Sequence, residues 1–265
     1  MRKNFPVEFV YQLFALLVAS IIVHAAYVAV VRPKANAALA EQQVAASQDP
    51  QFAAEPNLWI IIKDYEQELA IILTLWGLAI MGFKFRTLNR ERELFDANLV
   101  SLREGESILP EDARAHARAI EALDAQKRER ILPQLLLAAL NRFRMTRSIQ
   151  DVSEEVGRAT QNFADRLDSE LALMRYVAWA IPSIGFIGTV RGIGAAMGQA
   201  NRALEGDLAG VTEALGTAFN STLTALLLSI ILMFLLYQLQ QMQERVVLDA
   251  QSQVSSRLIQ NLVVH

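Results

Sequence analysis

The sequence contains no cysteine among its 265 residues and only three histidines. Without cysteine, disulfide frameworks, thiol nucleophiles and thiolate metal sites are all excluded. The histidines are dispersed at His24, His116 and His265, so a histidine metal cluster is not expected. No Ser-His or paired-carboxylate arrangement is apparent in or near the apolar segments. We therefore predict no catalytic residues, no metal site and no cofactor.

A strongly basic character is also missing, since the formal net charge is -3. Nucleic-acid surfaces normally need a basic stripe that displaces phosphate counterions, so no nucleic-acid partner is predicted. The composition is 53% hydrophobic and only 20% charged, which is too apolar for most soluble folds. This balance indicates a membrane part in contact with lipid, together with a polar part.

Four apolar segments are long enough, or nearly so, to cross a bilayer as helices. The segment from Phe9 to Val31 has no charged residue. The second apolar core is short, so its helix is predicted to begin near Leu58 and to span 58–83, with its acidic residues at the water boundary. Spans at 176–200 and 211–238 form an antiparallel hairpin. The predicted fold is an all-α membrane protein with four transmembrane helices.

Basic residues beside the spans predict the orientation. They precede the first and third spans and follow the second, which places these flanks and both termini in the cytoplasm: Arg2, Lys3, Lys84, Arg86, Arg90, Arg92, Arg166 and Arg175. A cleaved secretory signal is the alternative interpretation of the first segment. Its apolar run is long for a signal, which favours a retained span.

Four regions follow along the chain. Residues 1–83 are predicted to form a transmembrane helix pair with an outer loop at 32–57, and 84–172 a charged helical cytoplasmic domain. The hairpin occupies 173–238, and 239–265 continues its last helix as a cytoplasmic tail. Because no proline follows Gln134 before Ala172, a helix is predicted to run unbroken into the third span. Long helices therefore extend below the membrane.

Small residues line one face of the third span. Gly185, Gly188 and Gly192 share an arc with Thr189 at helical spacing. Gly188 and Gly192 form a small-xxx-small pair, which lets two helix backbones approach closely. We expect this face to pack against another helix.

Hydroxyl residues gather on one side of the fourth span, including Thr217, Ser221 and Thr222. Counting from the turn places Thr189 and Thr222 at one depth in an antiparallel hairpin. Two interpretations stay open: the hydroxyls line a polar path, or each bonds the carbonyl four residues before it.

Charge inside the spans is scarce. Arg191 lies deep, level with Asn220, and either meets a partner such as water or a carboxylate or extends to the outer interface. No Asp or Glu occurs in 9–31, 69–83, 176–200 or 214–238. If ions move through this protein, a second protein should supply the titrating acid.

These residues resemble a known family. The stretch PSIGFIGTVRGIG, from Pro182 to Gly194, is similar to the third-span motif of MotA/TolQ/ExbB proton-channel proteins, and TEALGTAFNSTLTALLLSI, from Thr212 to Ile230, resembles their next helix. Two spans before the cytoplasmic domain match the MotA layout. Two departures are Arg191, where ExbB-like and TolQ-like members usually carry tryptophan, and Glu213, which lies farther from Thr222 than their glutamate does from its threonine.

The resemblance implies a homopentamer in the bacterial inner membrane around a dimer of single-span MotB/TolR/ExbD-type partners. The partner's aspartate would carry a proton or sodium ion past Thr189 and past Thr222 or Ser221. Ion flow would drive mechanical work, as in a motor stator. The alternative is a passive helical scaffold or ungated channel, in which the small residues only pack helices.

Overall fold

The computed structural model describes residues 7–48, 56–95, 97, 99, 107–206 and 208–264. Four helical stretches in these residues are long and apolar enough to cross a membrane: Glu8–Ala46, Tyr65–Arg92, Ile149–Gly198 and Ala209–Asn261. Some of these stretches join consecutive helices through a short turn. The prediction of an all-α, multi-pass membrane protein is confirmed. Arg2, Lys3 and residues 49–55 of the predicted outer loop lie outside the described residues, as do 96, 98 and 100–106 of the predicted cytoplasmic domain.

The chain divides into two compact units. Unit 1 comprises Met1–Gly82 and Leu173–Leu236, and unit 2 comprises Phe83–Ala172 and Tyr237–His265. The helices in chain order are α1 (Val7–Ala26), α2 (Arg32–Gln48), α3 (Leu58–Ile61), α4 (Tyr65–Arg92), α5 (Ala113–Glu121), α6 (Ala125–Arg128), α7 (Ile131–Thr146), α8 (Ile149–Ser169), α9 (Ala172–Gly198), α10 (Ala200–Leu204) and α11 (Ala209–Arg257).

The first helix extends well beyond the predicted span. A π-helical turn, Tyr27–Val31, joins α1 directly to α2, so the part of the predicted outer loop from Arg32 to Gln48 is helical. The reason is local composition, because 32–48 is rich in alanine, the strongest helix former.

The second span begins later than predicted. Asn57 caps the single turn α3 by accepting a hydrogen bond from the Trp59 amide, and the chain leaves helical geometry before α4 starts at Tyr65. Gln67 donates to the Ile61 carbonyl at 2.8 Å, which satisfies a backbone acceptor that a continuous helix would have used. The prediction of one spanning helix that begins near Leu58 or Trp59 is therefore wrong, because a break separates α3 from α4.

The predicted unbroken helix from Gln134 into the third span is also wrong. Arg147 adopts a left-handed backbone with φ 53° and ends α7. Ser148 then caps α8 by accepting from the Asp151 amide, a side-chain bond that offers the backbone an alternative to helix continuation. A further turn at Glu170 and Leu171 precedes α9.

Within unit 1, α1 packs against α4 through apolar contacts and through side-chain hydrogen bonds. The Tyr11 hydroxyl donates to the Ala79 carbonyl at 3.1 Å, and the Trp76 indole donates to the Gln12 carbonyl at 2.8 Å. Val23, Tyr27 and Val31 form a buried cluster near the other end of this helix pair. These contacts hold α1 and the start of α4 side by side.

Unit 2 has its own apolar core. Leu135 and Phe143 of α7 and Val152 of α8 are fully buried. The end of the chain closes this core, because Ile108 and Leu262 form a parallel bridge with backbone bonds of 2.8 and 3.1 Å. Lys84 is 5% exposed and pairs with Glu170 at 2.9 Å, so its buried charge is compensated.

Candidate functional site

The glycine face of α9 packs directly on α11. A Cβ on Gly185 would lie 2.5 Å from the Ala225 Cβ, and one on Gly188 would lie 2.5 Å from the Ser221 Cβ. A Cβ on Gly192 would lie 2.7 Å from the Ala214 carbonyl oxygen. Real Cβ atoms do not approach this closely, so only glycine allows the two backbones to come together here.

Thr189 and Thr222 meet at this interface. Their hydroxyls share a hydrogen bond, and each also contacts a carbonyl of the opposite helix at 3.2 Å: Thr189 that of Ala218, and Thr222 that of Gly185. Each hydroxyl also lies near the carbonyl four residues before it in its own helix. Thr189 is 3.3 Å from the Gly185 carbonyl, and Thr222 is 3.4 Å from the Ala218 carbonyl. Because a hydroxyl has one proton, one of the pair donates to the other, and that partner donates to a carbonyl. Both side chains are half-buried.

The remaining predicted hydroxyls extend this pair along α11. Ser221 is buried and donates to the Thr217 carbonyl at 2.8 Å. Thr217 is half-buried one turn earlier. Unit 1 thus brings four predicted residues, Thr217, Ser221, Thr222 and Thr189, into one polar strip. Their carbonyl bonds also fit the packing interpretation.

Arg191 meets a carboxylate. Its Nε and a terminal nitrogen donate to the two oxygens of Glu66 at 2.6 and 2.8 Å, and the guanidinium lies 3.8 Å from Asp64. The Glu66 side chain is 11% exposed and passes close to Gly188. Bidentate pairing of this kind fixes orientation as well as charge.

Glu213 and Asn220 are the other two residues predicted as possible charge partners. Glu213 accepts from Lys63 at 3.1 Å and is 52% exposed. Lys63 therefore pairs across to α11 rather than with Glu66 three residues on. Asn220 is half-buried on α11.

Asp64 lies just before α4, at the edge of the same cluster. Burial raises the pKa of its carboxyl above the ordinary aspartate value, the positive charges of Lys63 and Arg191 act in the opposite direction, and the negative charge of Glu66 adds to the rise. The Thr217 hydroxyl, which lies near this carboxyl, also acts to lower its pKa. Asp64 Oδ2 is buried and has no hydrogen-bond partner.

A second carboxylate lies between α1 and α4. Glu68 accepts from His24 at 2.7 Å and from Arg32 at 2.5 Å, and its side chain is 8% exposed. The Arg32 guanidinium also lies over the Tyr65 ring at 4.5 Å. The charge of Glu68 is therefore neutralised within unit 1.

Sequence reasoning assigned Asp64 and Glu66 to the water boundary and missed their contacts with the hairpin. Two features of the sequence could have indicated these contacts: an acid-rich segment precedes an apolar core, and one arginine deep in a span needs a counter-ion. The helix break before Tyr65 was not visible in the sequence. No group of three His, Asp or Glu side chains in the described ranges is arranged to hold a metal ion.

Comparison with known proteins supports the resemblance. Residues 127–252 match the MotA/TolQ/ExbB proton channel family, so the predicted family assignment is confirmed over this segment. The segment includes the glycine face, the hydroxyl strip and about half of unit 2, whereas the first two spanning helices precede it. No curated protein matches the chain.

Proposed function

We propose that this chain, whose residues 127–252 are a MotA/TolQ/ExbB proton-channel segment, is the ring subunit of an ion-driven motor in the bacterial inner membrane. The observation that carries the proposal is the Thr189–Thr222 hydroxyl pair on the close-packed α9–α11 interface. Flow of protons, or of sodium ions, past this pair would drive mechanical work.

The hydroxyl strip suits a carboxyl group that arrives from another chain. Hydroxyls can accept from a protonated carboxyl and donate to a charged one. The hairpin itself has no Asp or Glu from 176 to 200 or from 214 to 238. We therefore assign the ion-carrying acid to a single-span partner of the MotB/TolR/ExbD type, enclosed as a dimer by a pentamer of this chain.

Orientation in the membrane follows from the basic flanks. Lys84, Arg86 and Arg175 lie at one end of the spans, and positive residues favour the cytoplasmic side. Both termini and unit 2 would then be cytoplasmic, and the Asp64 end of α4 would face outward.

The test is the double variant Thr189→Val with Thr222→Val, assayed by proton uptake into vesicles that hold the chain and its co-purified partner. Valine keeps the branched shape and removes the hydroxyl, so uptake should be abolished while the complex still assembles. The matched control is Thr87→Val with Thr212→Val, since both threonines are exposed and bond only their own helix. Full uptake in the first double variant would refute the proposal. Replacing sodium in the buffer by potassium separates a proton current from a sodium current.

A passive scaffold is the second candidate, because the observed hydroxyl–carbonyl bonds also fit packing. Co-purification separates the two functions. A motor subunit retains a single-span protein with an intramembrane acid, whereas a scaffold retains none.

A further inference from the structure

We propose that Asp64 is a proton-accepting residue of this chain, located at the outer end of the hydroxyl strip, so that the ring contributes an acid of its own to the ion path. The inference rests on the proposed function and adds to it. It differs from the expectation that a second protein supplies all the titrating acid.

The first support is the position of Asp64 in the helix break before α4. The side chain is 16% exposed, and its Oδ2 is shielded from solvent without a hydrogen-bond partner. A buried oxygen without a partner is costly for a carboxylate and favours uptake of a proton. By contrast, Glu66, which lies in the first turn of α4, has both carboxylate oxygens hydrogen-bonded to Arg191.

The second support is the charge balance around this carboxyl. On α9, Arg191 is engaged by Glu66 in a bidentate pair, and on α11, Glu213 is engaged by Lys63. Two acids and two bases therefore compensate each other. Asp64 is the additional acid; Arg191 lies 3.8 Å from it, and both Arg191 and the adjacent Lys63 are paired with other carboxylates.

The groups that face Asp64 from α1 and α4 do not neutralise it. Glu68 is ion-paired with Arg32 and also accepts a hydrogen bond from His24. The Tyr27 hydroxyl interacts electrostatically with Asp64, Glu68 and Arg32 and is buried without a hydrogen-bond partner. Tyr27 lies in the π-helical turn, a geometry that is frequent at functional sites.

The third support is continuity from Asp64 to the hydroxyl pair. The Thr217 side chain lies close enough to the Asp64 carboxyl to act on its pKa, which it lowers, and the Thr217 carbonyl accepts from Ser221. Thr222 follows directly and shares its hydroxyl bond with Thr189. At 1.5 Å per residue, Thr217 and Thr222 are separated by about 7.5 Å along α11, a distance that a water molecule and the Ser221 hydroxyl can bridge.

The direction of the pKa shift agrees with this role. Burial is the largest cause, and it raises the pKa of Asp64 above the ordinary aspartate value, which favours the protonated form. An exposed aspartate would remain ionised near neutral pH.

The experiment measures proton uptake by vesicles containing the full chain with its co-purified partner. Asp64→Asn should lower the rate by about tenfold or more, and Asp64→Glu should retain most of it. Glu205→Gln, an exposed residue in the turn before α11, is the control and should match the wild type. Wild-type uptake with no loss in Asp64→Asn would overturn this inference alone. Absence of both proton and sodium uptake in the wild type would overturn the proposed function and this inference together.

An infrared titration of the full chain in lipid covers the case in which Asp64→Asn does not assemble. The wild type should keep a protonated-carboxyl band at a pH above the ordinary aspartate pKa of about 3.9. Asp64→Glu should shift the frequency of that band, because the acid is retained in a longer side chain. A band that is unchanged in Asp64→Glu would contradict the assignment.

Discussion

Gly192→Ala tests the close approach of α9 and α11. The added Cβ would lie 2.7 Å from the Ala214 carbonyl oxygen and from the Ala218 amide nitrogen and Cβ. Two of these atoms belong to the backbone, so the helices must separate rather than repack a side chain. Overpacking of this kind costs about 1–3 kcal/mol.

Gly194→Ala is the matched control, because it adds the same methyl group two residues along α9, where nothing lies within 4 Å of the new Cβ. Both variants gain the helix propensity of alanine, about 1 kcal/mol over glycine, so this gain cancels when they are compared. The difference between them should therefore equal the overpacking cost alone. It corresponds to a change of about 5- to 140-fold in the unfolding equilibrium constant.

The assay is reversible unfolding of the full chain in mixed detergent micelles, followed by circular dichroism. Gly192→Ala should unfold at a lower denaturing-detergent fraction than Gly194→Ala. Equal unfolding midpoints would show that α9 and α11 do not pack through the glycine face, and the site described above would lose its basis.

Three further predictions concern both units. Lys84→Met should lower the free energy of unfolding by about 1–3 kcal/mol in thermal denaturation, because Glu170 loses its buried partner. Deleting residues 258–265 should speed amide hydrogen exchange in unit 2, because the deletion removes the buried Leu258 and Leu262 and the backbone bridge between Leu262 and Ile108. The pKa of Asp64 is raised in the folded protein, so its stabilising contribution is present below the ordinary value of about 3.9 and is lost as pH rises through the raised value. Asp64→Asn should therefore flatten the pH dependence of the melting temperature.

Each of these has a control. Lys127→Met changes an exposed lysine of α6 and should leave the unfolding free energy unchanged. Removing only Val264 and His265 keeps Leu262 and should preserve slow exchange. Asp112→Asn changes an exposed aspartate and should leave the pH profile as in the wild type. An effect of any control equal to that of its variant would contradict the corresponding prediction.

The spans and the glycine face could be predicted because they depend on local patterns. Apolar length identifies a membrane helix, and residues at helical spacing such as Gly188 and Gly192 share a face in any regular helix. Counting residues on either side of the turn predicted that Thr189 and Thr222 lie at the same depth in the membrane. The structure brings these two side chains together.

The ion pairs could not be predicted, because they join residues distant in sequence, and the helix breaks could not be predicted, because they depend on single side-chain bonds to the backbone. The pair between Arg191 and Glu66 joins positions 125 residues apart. The interruption before Tyr65 is stabilised by Gln67, and the one at Arg147 by a cap on Ser148. The alanine-rich composition of 32–48 favours a helix, whereas membrane topology rules favoured a loop there.

The account depends most on a ring of this chain that encloses a partner with an acid. Native mass spectrometry of the complex extracted in lipid nanodiscs measures this directly. We predict a mass equal to a pentamer of the chain plus a dimer of a single-span protein whose apolar segment contains an aspartate. A monomer, or a ring without any such partner, would contradict the account.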